Sequence, residues 1–394
     1  MATISRQRAI QPKHQTNHRS INRQQTNHRQ TNRQQTQGKG RIVTEPPRPT
    51  SRRPVTRREV AHYAGVSTAV VSYVVNGGPK RVAPGTEQRV RDAIAALGYT
   101  PNAVARALSR GSAQLIGLIA PDMTNPYFAE FAGLLADEAT AHGYDMITGS
   151  SRSTRDGERR IIDKFVSRQV NAMIMMTALT PAEHETLSTF RVPRVLVGVE
   201  AAEGPVPSVG SDLRGGAVDA VRHLLGHGHR SIGLIIGRGR RGALDSREVG
   251  WRTALDEARV PGGPVEGAEF TRQGGYQAAQ RMLALDERPT AIFAGSDLMG
   301  VGALRAIHEA GLRVPEDVAV VAFDGSSEAE FSWPAMTTVR QPIDLIARQA
   351  IALALDPPSG DTHVLLPTEL ILRRSCGCGT PDPSAPGAAA PVHA

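Results

Sequence analysis

The sequence predicts a small all-α helix-turn-helix head followed by an α/β body of two lobes. Three observations carry this. Thr56 to Asn76 places two short helical patterns around a turn at Gly65-Val66. From Leu115 onward, apolar strand-like runs alternate with helix-length runs, and the alternation occurs twice in series. Charge is divided along the same line: of the net +8, residues 1–55 carry +11 and residues 56–111 carry +5, leaving −8 on the rest of the 394-residue chain. A basic front suits a phosphate backbone, and a mildly acidic body suits a different partner.

The bulk properties bound the classes. A 40% hydrophobic chain of this length can build two or three real cores. The two cysteines, Cys376 and Cys378, are too few for a disulfide framework or a zinc site, and imply a reducing compartment. No signal-like apolar core opens the chain and no run approaches a membrane span, so a cytoplasmic protein without a membrane partner is expected.

Residues 1–54 are a basic low-complexity arm in which Gln-Thr-Asn-His-Arg recurs with almost no apolar content. Such a segment cannot bury enough to fold and is expected to be disordered. It either adds non-specific DNA affinity or does nothing. The head covers 55–100. Val60, Ala61 and Ala64 give its first helix an apolar face, and Val70, Val71, Val74 and Val75 give one to the second. Ser67 stands where an N-cap belongs, its hydroxyl able to take a free N–H of the first turn. A loop spans 77–85. A third helix follows over about 86–97, with Val90, Ala93, Ile94 and Leu97 at helical spacing and Gly98 as its stop. Residues 101–112 form a linker whose Ala-rich part, Pro101 to Arg110, is helical in pattern but too short to stand alone in water.

The body covers 113–374. Its first lobe reads as strands at 115–120, 145–148, 172–176 and 194–199 alternating with helices at 127–142, 156–167 and 182–189. The second reads as strands at 231–236, 290–294 and 318–322 with helices at 213–226, 246–258, 273–285 and 298–310. A return segment begins at Arg340, followed by a helix at 343–354 and a late strand at 370–372. The tail from Ser375 is Gly-, Ala- and Pro-rich and expected to be disordered.

Ligands of open α/β sheets bind beyond the carboxyl ends of the strands. Asp122, Asn125, Tyr127 and Phe128 follow the first strand, Ser150, Ser151 and Arg152 the second, and Arg247, Asp297 and Asp324 later ones. Aromatic faces, an arginine fork and carboxylates suit a polyol. Each has a plainer reading too: Asp297 and Asp324 can cap helices or turns, and Asn125 can fix the loop before Pro126. No lysine-bearing phosphate loop, dinucleotide fingerprint or nucleophile elbow occurs. The loop with Gly237, Gly239 and Gly242 lacks the fingerprint spacing. His223, His227 and His229 sit near a helix end, where the helix dipole accounts for them. No catalytic residues, cofactor or metal are therefore expected.

The chain resembles the LacI/GalR family of bacterial transcriptional regulators from Val55 to about Arg374. The resemblance rests on Val60-Ala61 through Gly65-Val66-Ser67, Val71-Ser72 with Asn76-Gly77, and Leu97-Gly98-Tyr99-Thr100-Pro101-Asn102-Ala103. It extends through Asn125-Pro126-Tyr127-Phe128, Gly226-His227-Gly228-His229-Arg230, Ser296-Asp297, Phe323-Asp324 and Thr337-Thr338-Val339-Arg340-Gln341-Pro342. It implies a homodimer whose paired heads read a pseudo-palindromic double-stranded operator. It also implies a body like that of periplasmic sugar-binding proteins, holding a small-molecule effector that is a carbohydrate. Thr56, Ser67, Thr68, Ala69, Ser72, Tyr73 and Asn76 then face DNA. Asn102, Ala105 and Leu108 lie in a hinge helix that folds on the minor groove, with Leu108 as its wedge. Asp122, Tyr127, Phe128, Ser151, Arg247, Asp297 and Asp324 become the effector set.

Departures from the family pattern matter. Tyr73 replaces the usual arginine of the recognition helix, so a bidentate guanine contact is missing there. Thr68 and Ala69 are small at the operator-discriminating positions, and Val199-Glu200 stands where an acid followed by arginine is common. The expected mechanism is a population shift: two lobes hinge near Ser211, Asp297 and Arg340, and a ligand that prefers one arrangement changes the spacing of the hinge helices. Release of a repressor by a sugar is the first expectation. A corepressor mode and a ligand sensor merely tethered to DNA are the alternatives. No C-terminal heptad run supports a tetramer.

Overall fold

The structure, a computed structural model, describes residues 53, 55–76, 81–100, 112–177, 192–198, 206–237, 244–357, 360 and 362–378. The arm before residue 53, the hinge segment with Asn102, Ala105 and Leu108, the helix expected at 182–189, Val199-Glu200 and the chain beyond Cys378 lie outside these residues.

The head is three helices, α1 (Arg57–Ala64), α2 (Thr68–Asn76) and α3 (Pro84–Leu97). Gly65 turns the chain at φ 64°, a conformation glycine adopts without penalty. The Ser67 hydroxyl accepts the Val70 N–H at 3.3 Å, so α2 begins with the expected cap. Val60, Ala61, Ala64, Val71, Val90, Ala93 and Tyr99 form the buried centre. Val71 alone of the four α2 valines is buried; Val70, Val74 and Val75 are half-buried, because three short helices are too few to enclose a full apolar face. The third helix starts two residues early, at Pro84, where a missing N–H costs nothing. Gly98 closes it in the left-handed region.

The body holds two six-stranded sheets among the described residues. The first has the order β11-β5-β4-β3-β1-β2: β1 (Leu115–Ala120), β2 (Asp145–Ser150), β3 (Ala172–Met175), β4 (Arg194–Val197), β5 (Ser208–Ser211) and β11 (His363–Leu366), all parallel. Helices α4 (Pro126–Ala141) and α5 (Arg155–Ser167) belong to this lobe. The second sheet has the order β12-β10-β9-β8-β6-β7. Its strands are β6 (Ile232–Gly237), β7 (Val265–Ala268), β8 (Ala291–Ala294), β9 (Ala319–Asp324), β10 (Thr337–Arg340) and β12 (Glu369–Ile371). Only β12 runs antiparallel, against β10. Helices α6 (Leu213–Gly226), α7 (Ser246–Glu257), α8 (Arg272–Leu283), α9 (Asp297–Glu309) and α10 (Ser327–Phe331) belong to it.

Both faces of each sheet are covered, which is why the strands read as continuous apolar runs. On one face of the first sheet, Phe131 and Leu135 of α4 meet Ile346, Ala350 and Ile351 of α11 (Ile343–Leu355); on the other, Phe165 of α5 packs on Met173 and Met175. In the second lobe, Trp251 of α7 is buried and donates its indole N–H to the Ile232 carbonyl at 3.2 Å.

Among the described residues the chain crosses between lobes three times: after β5 at Ser211-Asp212, after β10 at Gln341-Pro342, and between β11 and β12 at Pro367-Thr368. The crossing expected near Asp297 does not exist. That residue opens α9 inside the second lobe, and the third crossing was hidden in a short polar, Pro-containing stretch with no periodic signal. Ser375 and Cys376, expected in the tail, pack onto the second lobe. Arg374–Cys376 forms a 3₁₀ turn, Ser375 and Cys376 are buried, and the Ser375 hydroxyl donates to the Val320 carbonyl at 2.6 Å. Ser375 has no hydrophobic signature, so composition alone assigned it to the tail.

Candidate functional site

Two surfaces hold the residues singled out by sequence. The first is the exposed side of α2. Thr68, Ala69, Ser72, Tyr73 and Asn76 fall at successive and one-turn spacings, which places them along one side of a helix. Ser67, Thr68 and Ala69 are exposed; Ser72, Tyr73, Asn76 and Thr56 are half-buried. The Asn76 amide donates to the Ser72 hydroxyl at 3.2 Å, so these two act as one unit. Arg58, Arg81 and Arg89 are exposed cations on the same small domain.

The second is the cleft between the lobes, and its centre is Gln341, on the crossing after β10. Its side-chain oxygen accepts from the Tyr127 hydroxyl of the first lobe at 3.0 Å and from the Ser211 hydroxyl at 2.9 Å. Its amide donates to the Asp324 carboxylate of the second lobe at 2.9 Å. One buried side chain therefore ties together both lobes and two of the three crossings. The third is laced in by backbone: Asp212 N–H donates to the Leu366 carbonyl at 2.8 Å. Nearby, Glu130 of α4 accepts from the Ser327 hydroxyl at 2.8 Å, a second lobe-to-lobe contact. A cavity of about 560 Å³ opens here, walled by Tyr127, Glu130, Asp324, Ser326, Gln341 and Thr368 among others.

Asp324 ends β9 at φ 115°, a strained value for a residue with a side chain. Burial and the neighbouring Asp297 push its carboxyl well above the usual range, against the pull of Arg247. Arg247 sits one residue into α7, after Asp245 has capped the helix by accepting the Arg247 N–H at 3.0 Å. Its guanidinium forks onto both Asp245 oxygens at 2.8 Å each and donates to the Gly295 carbonyl at 2.7 Å. It stacks over Phe270 at 4.8 Å and Phe323 at 5.5 Å from the ring centroids. Burial alone would raise the Asp245 carboxyl; the guanidinium outweighs it and holds the group below its ordinary value. A guanidinium has five N–H donors, and these bonds use three; Arg247 stands behind the cavity rather than among the residues that wall it.

The remaining predicted residues have other jobs. Asp297 is wholly buried, and its oxygens accept from Thr338 Oγ1 at 2.6 Å, Ser326 N at 2.6 Å and Ser326 Oγ at 2.8 Å. It fixes the loop after Asp324 and does not wall the cavity. Desolvation raises its carboxyl to about 6 in spite of those bonds. Ser151 is likewise buried, its hydroxyl donating to the Ala120 carbonyl at 3.3 Å, so it locks β2 to β1. Asp122 closes an Asx turn on Thr124 at 2.9 Å. Phe128 is half-buried against the first core and meets Tyr127 edge-on at 5.3 Å. Asn125 caps α4 by accepting the Tyr127 N–H at 3.0 Å.

Sequence reasoning missed Gln341, Glu130, Phe270 and Ser326. Gln341 lies in the quoted Thr337–Pro342 motif, and the turn into a proline after a buried strand was its only signal. The cleft assembles no metal-ligand group among the described residues.

Known proteins share the two parts of this fold. Residues 56–102 match a family described as bacterial regulatory proteins, lacI family, and residues 221–376 match a periplasmic binding protein-like domain. The chain is 34% identical over 330 residues to catabolite control protein A of Priestia megaterium, covering 82% of this chain and 99% of that protein. Among solved structures it resembles the lac repressor dimer bound to operator and the anti-inducer ONPF, with TM-score 0.74 and 27% identity over 82% of this chain and 99% of that one. It also resembles the transcriptional regulator CelR in complex with cellobiose, with TM-score 0.61 and 30% identity over 82% of this chain and all of that one.

Proposed function

The chain belongs to the lacI family of bacterial regulatory proteins, and from that premise we propose that this sequence-specific DNA-binding regulator is a cytoplasmic repressor, released from its operator by a saccharide. It works as a homodimer. The exposed side of α2 enters the major groove, with Thr68 and Ala69 meeting base edges and thymine methyls, and Ser72, Tyr73 and Asn76 fixing register. The segment holding Asn102, Ala105 and Leu108 orders against the minor groove between the two half-sites.

One observation carries the proposal: Gln341 touches the carboxylate that would hold the ligand and the crossings that set the lobe angle. Hydroxyls of a saccharide donate to Asp324, which the Arg247 charge supports from behind, while Tyr127 and Phe128 close over the sugar from the first lobe. Drawing on Asp324 alters its bond to Gln341, and with it the purchase of Tyr127 and Ser211 on the hinge. A ligand thereby prefers one lobe arrangement, and the linkers leading to the heads follow. CelR, the relative solved with cellobiose, supports a saccharide in this cleft.

Selection of genomic fragments by the full chain, followed by a thermal-shift screen of sugars, tests this. A specific fragment whose complex dissociates with the sugar that raises Tm is the expected result. A specific complex tightened by its ligand would make the protein a corepressor-dependent regulator. Absence of any sequence-specific complex would defeat the proposal.

A further inference from the structure

His223 lies in the last turn of α6 and His227 is its C-cap, one turn on, so both rings stand on the same side of its C-terminal end. About 150 residues later in the chain, the turn after β12 brings Cys376 and Cys378 to that face. His223 Nε2 lies 3.3 Å from Cys376 Sγ and 3.5 Å from Cys378 Sγ, and His227 Nε2 lies 3.3 Å from Cys378 Sγ. All four ligand atoms fall within 4.8 Å of one another. A tetrahedral zinc ion with Zn–S of about 2.3 Å and Zn–N of about 2.0–2.1 Å requires N···S separations of about 3.5 Å. The separations present match that figure. Sequence reading gave the histidines to the helix dipole and found too few cysteines for a site; the fold joins the two pairs.

From this convergence we infer that His223, His227, Cys376 and Cys378 form a structural Cys2His2 site for a divalent transition metal of the zinc class. Pairwise hydrogen bonding accounts for the cluster less well. A single Nε2 faces two sulfurs and a single sulfur faces two Nε2 atoms, whereas a neutral imidazole Nε2 has one lone pair or one proton to give. The supporting shell is built. Thr337 Oγ1 donates to Cys376 Sγ at 3.0 Å, Ser375 Oγ accepts the Thr337 N–H at 2.9 Å, and Arg374 N–H donates to the Ala335 carbonyl at 3.0 Å. Gly377 turns at φ 94°, so both sulfurs point to one side of the loop. Cys376 is buried and His227 is exposed, which gives the ion a wall on one side and an entry path on the other.

The site lies at the end of the second sheet away from the cleft, since Ser375 and Cys376 reach Val320 and Thr337 near the starts of β9 and β10, whereas Asp324 ends β9. The metal staples the chain's last described turn onto α6 and fixes the edge strand β12, without contact with the ligand.

Metal analysis of the full chain tests this. The protein is loaded with Zn2+ under a thiol-free reductant, dialysed against a weak chelator, and its zinc measured by mass spectrometry; cobalt replaces zinc in a parallel sample. One zinc per chain is expected, with cobalt giving intense visible bands of tetrahedral coordination and a near-ultraviolet thiolate charge-transfer band. Cys378→Ser and His227→Ala change partly exposed groups and leave the fold intact, and each abolishes the stoichiometric ion and the thiolate band. A strong chelator lowers the Tm of the parent and leaves that of Cys378→Ser unchanged. A parent chain with well under one zinc, a variant that retains the ion, or a cobalt spectrum lacking the thiolate band would each overturn the assignment.

Discussion

Replacing Gln341 by alanine tests whether the buried amide governs the hinge. Three hydrogen bonds disappear: two from the hydroxyls of Tyr127 and Ser211, at 3.0 and 2.9 Å, and one to the Asp324 carboxylate at 2.9 Å. The bonds from Tyr127 and Ser211 contribute about 1 kcal/mol each, and the one to Asp324, a carboxyl that burial pushes toward its neutral form, about 1–3 kcal/mol. Water entering the adjoining cavity of about 560 Å³ restores part of this. The expected loss of stability is therefore about 2–4 kcal/mol, read from urea denaturation. Operator binding by the isolated heads is not touched by the change, but the response to ligand is: the ratio of operator Kd with and without effector should collapse toward one. A loss below about 0.5 kcal/mol, the range of an ordinary surface substitution, together with an undiminished response to ligand, would refute the reasoning.

Other expectations follow from the same contacts. Arg247→Lys keeps the charge but loses the fork on Asp245, at 2.8 Å on each oxygen, and with it the fixed position of that charge behind Asp324. Effector affinity should fall about 10- to 100-fold, about 1.4–2.7 kcal/mol, by calorimetry, with operator affinity in the absence of effector unchanged. Ser67→Ala removes the cap on α2, seen at 3.3 Å, and should cost the head about 0.5–1 kcal/mol by thermal denaturation without changing effector affinity. Asp297 titrates near 6 in the folded chain against 3.8 for the free group. The folded state thus holds this proton more tightly than the unfolded state. Its contribution to stability is full below pH 3.8 and is lost as pH rises through 6, so Asp297→Asn should flatten that part of the stability–pH curve.

Most of the fold was legible because its signals are local. Continuous apolar strands bounded by capped helices, such as Leu115–Ala120 before Asn125-Pro126, announce a buried parallel sheet without any knowledge of partners. Caps were legible for the same reason, as Ser67 and Gly98 show. What stayed hidden depends on distant partners. Asp297 and Asp324 look alike in sequence, yet one is saturated by Thr338 and Ser326 while the other faces the cavity. Gln341 bonds to residues 214 and 130 positions away, and only the proline after it marks it locally. The turn holding Cys376 and Cys378 was assigned to a disordered tail because its anchors, Val320 and Thr337, lie some 40 to 55 residues upstream.

The account stands on the coupling between cleft and heads. Its most direct measurement is fluorescence anisotropy of a labelled operator with the full chain, with and without a saturating concentration of the saccharide that raises Tm. A rise in operator Kd of about 5- to 150-fold, absent in Gln341→Ala, is predicted. Identical operator Kd values at saturating ligand would contradict it.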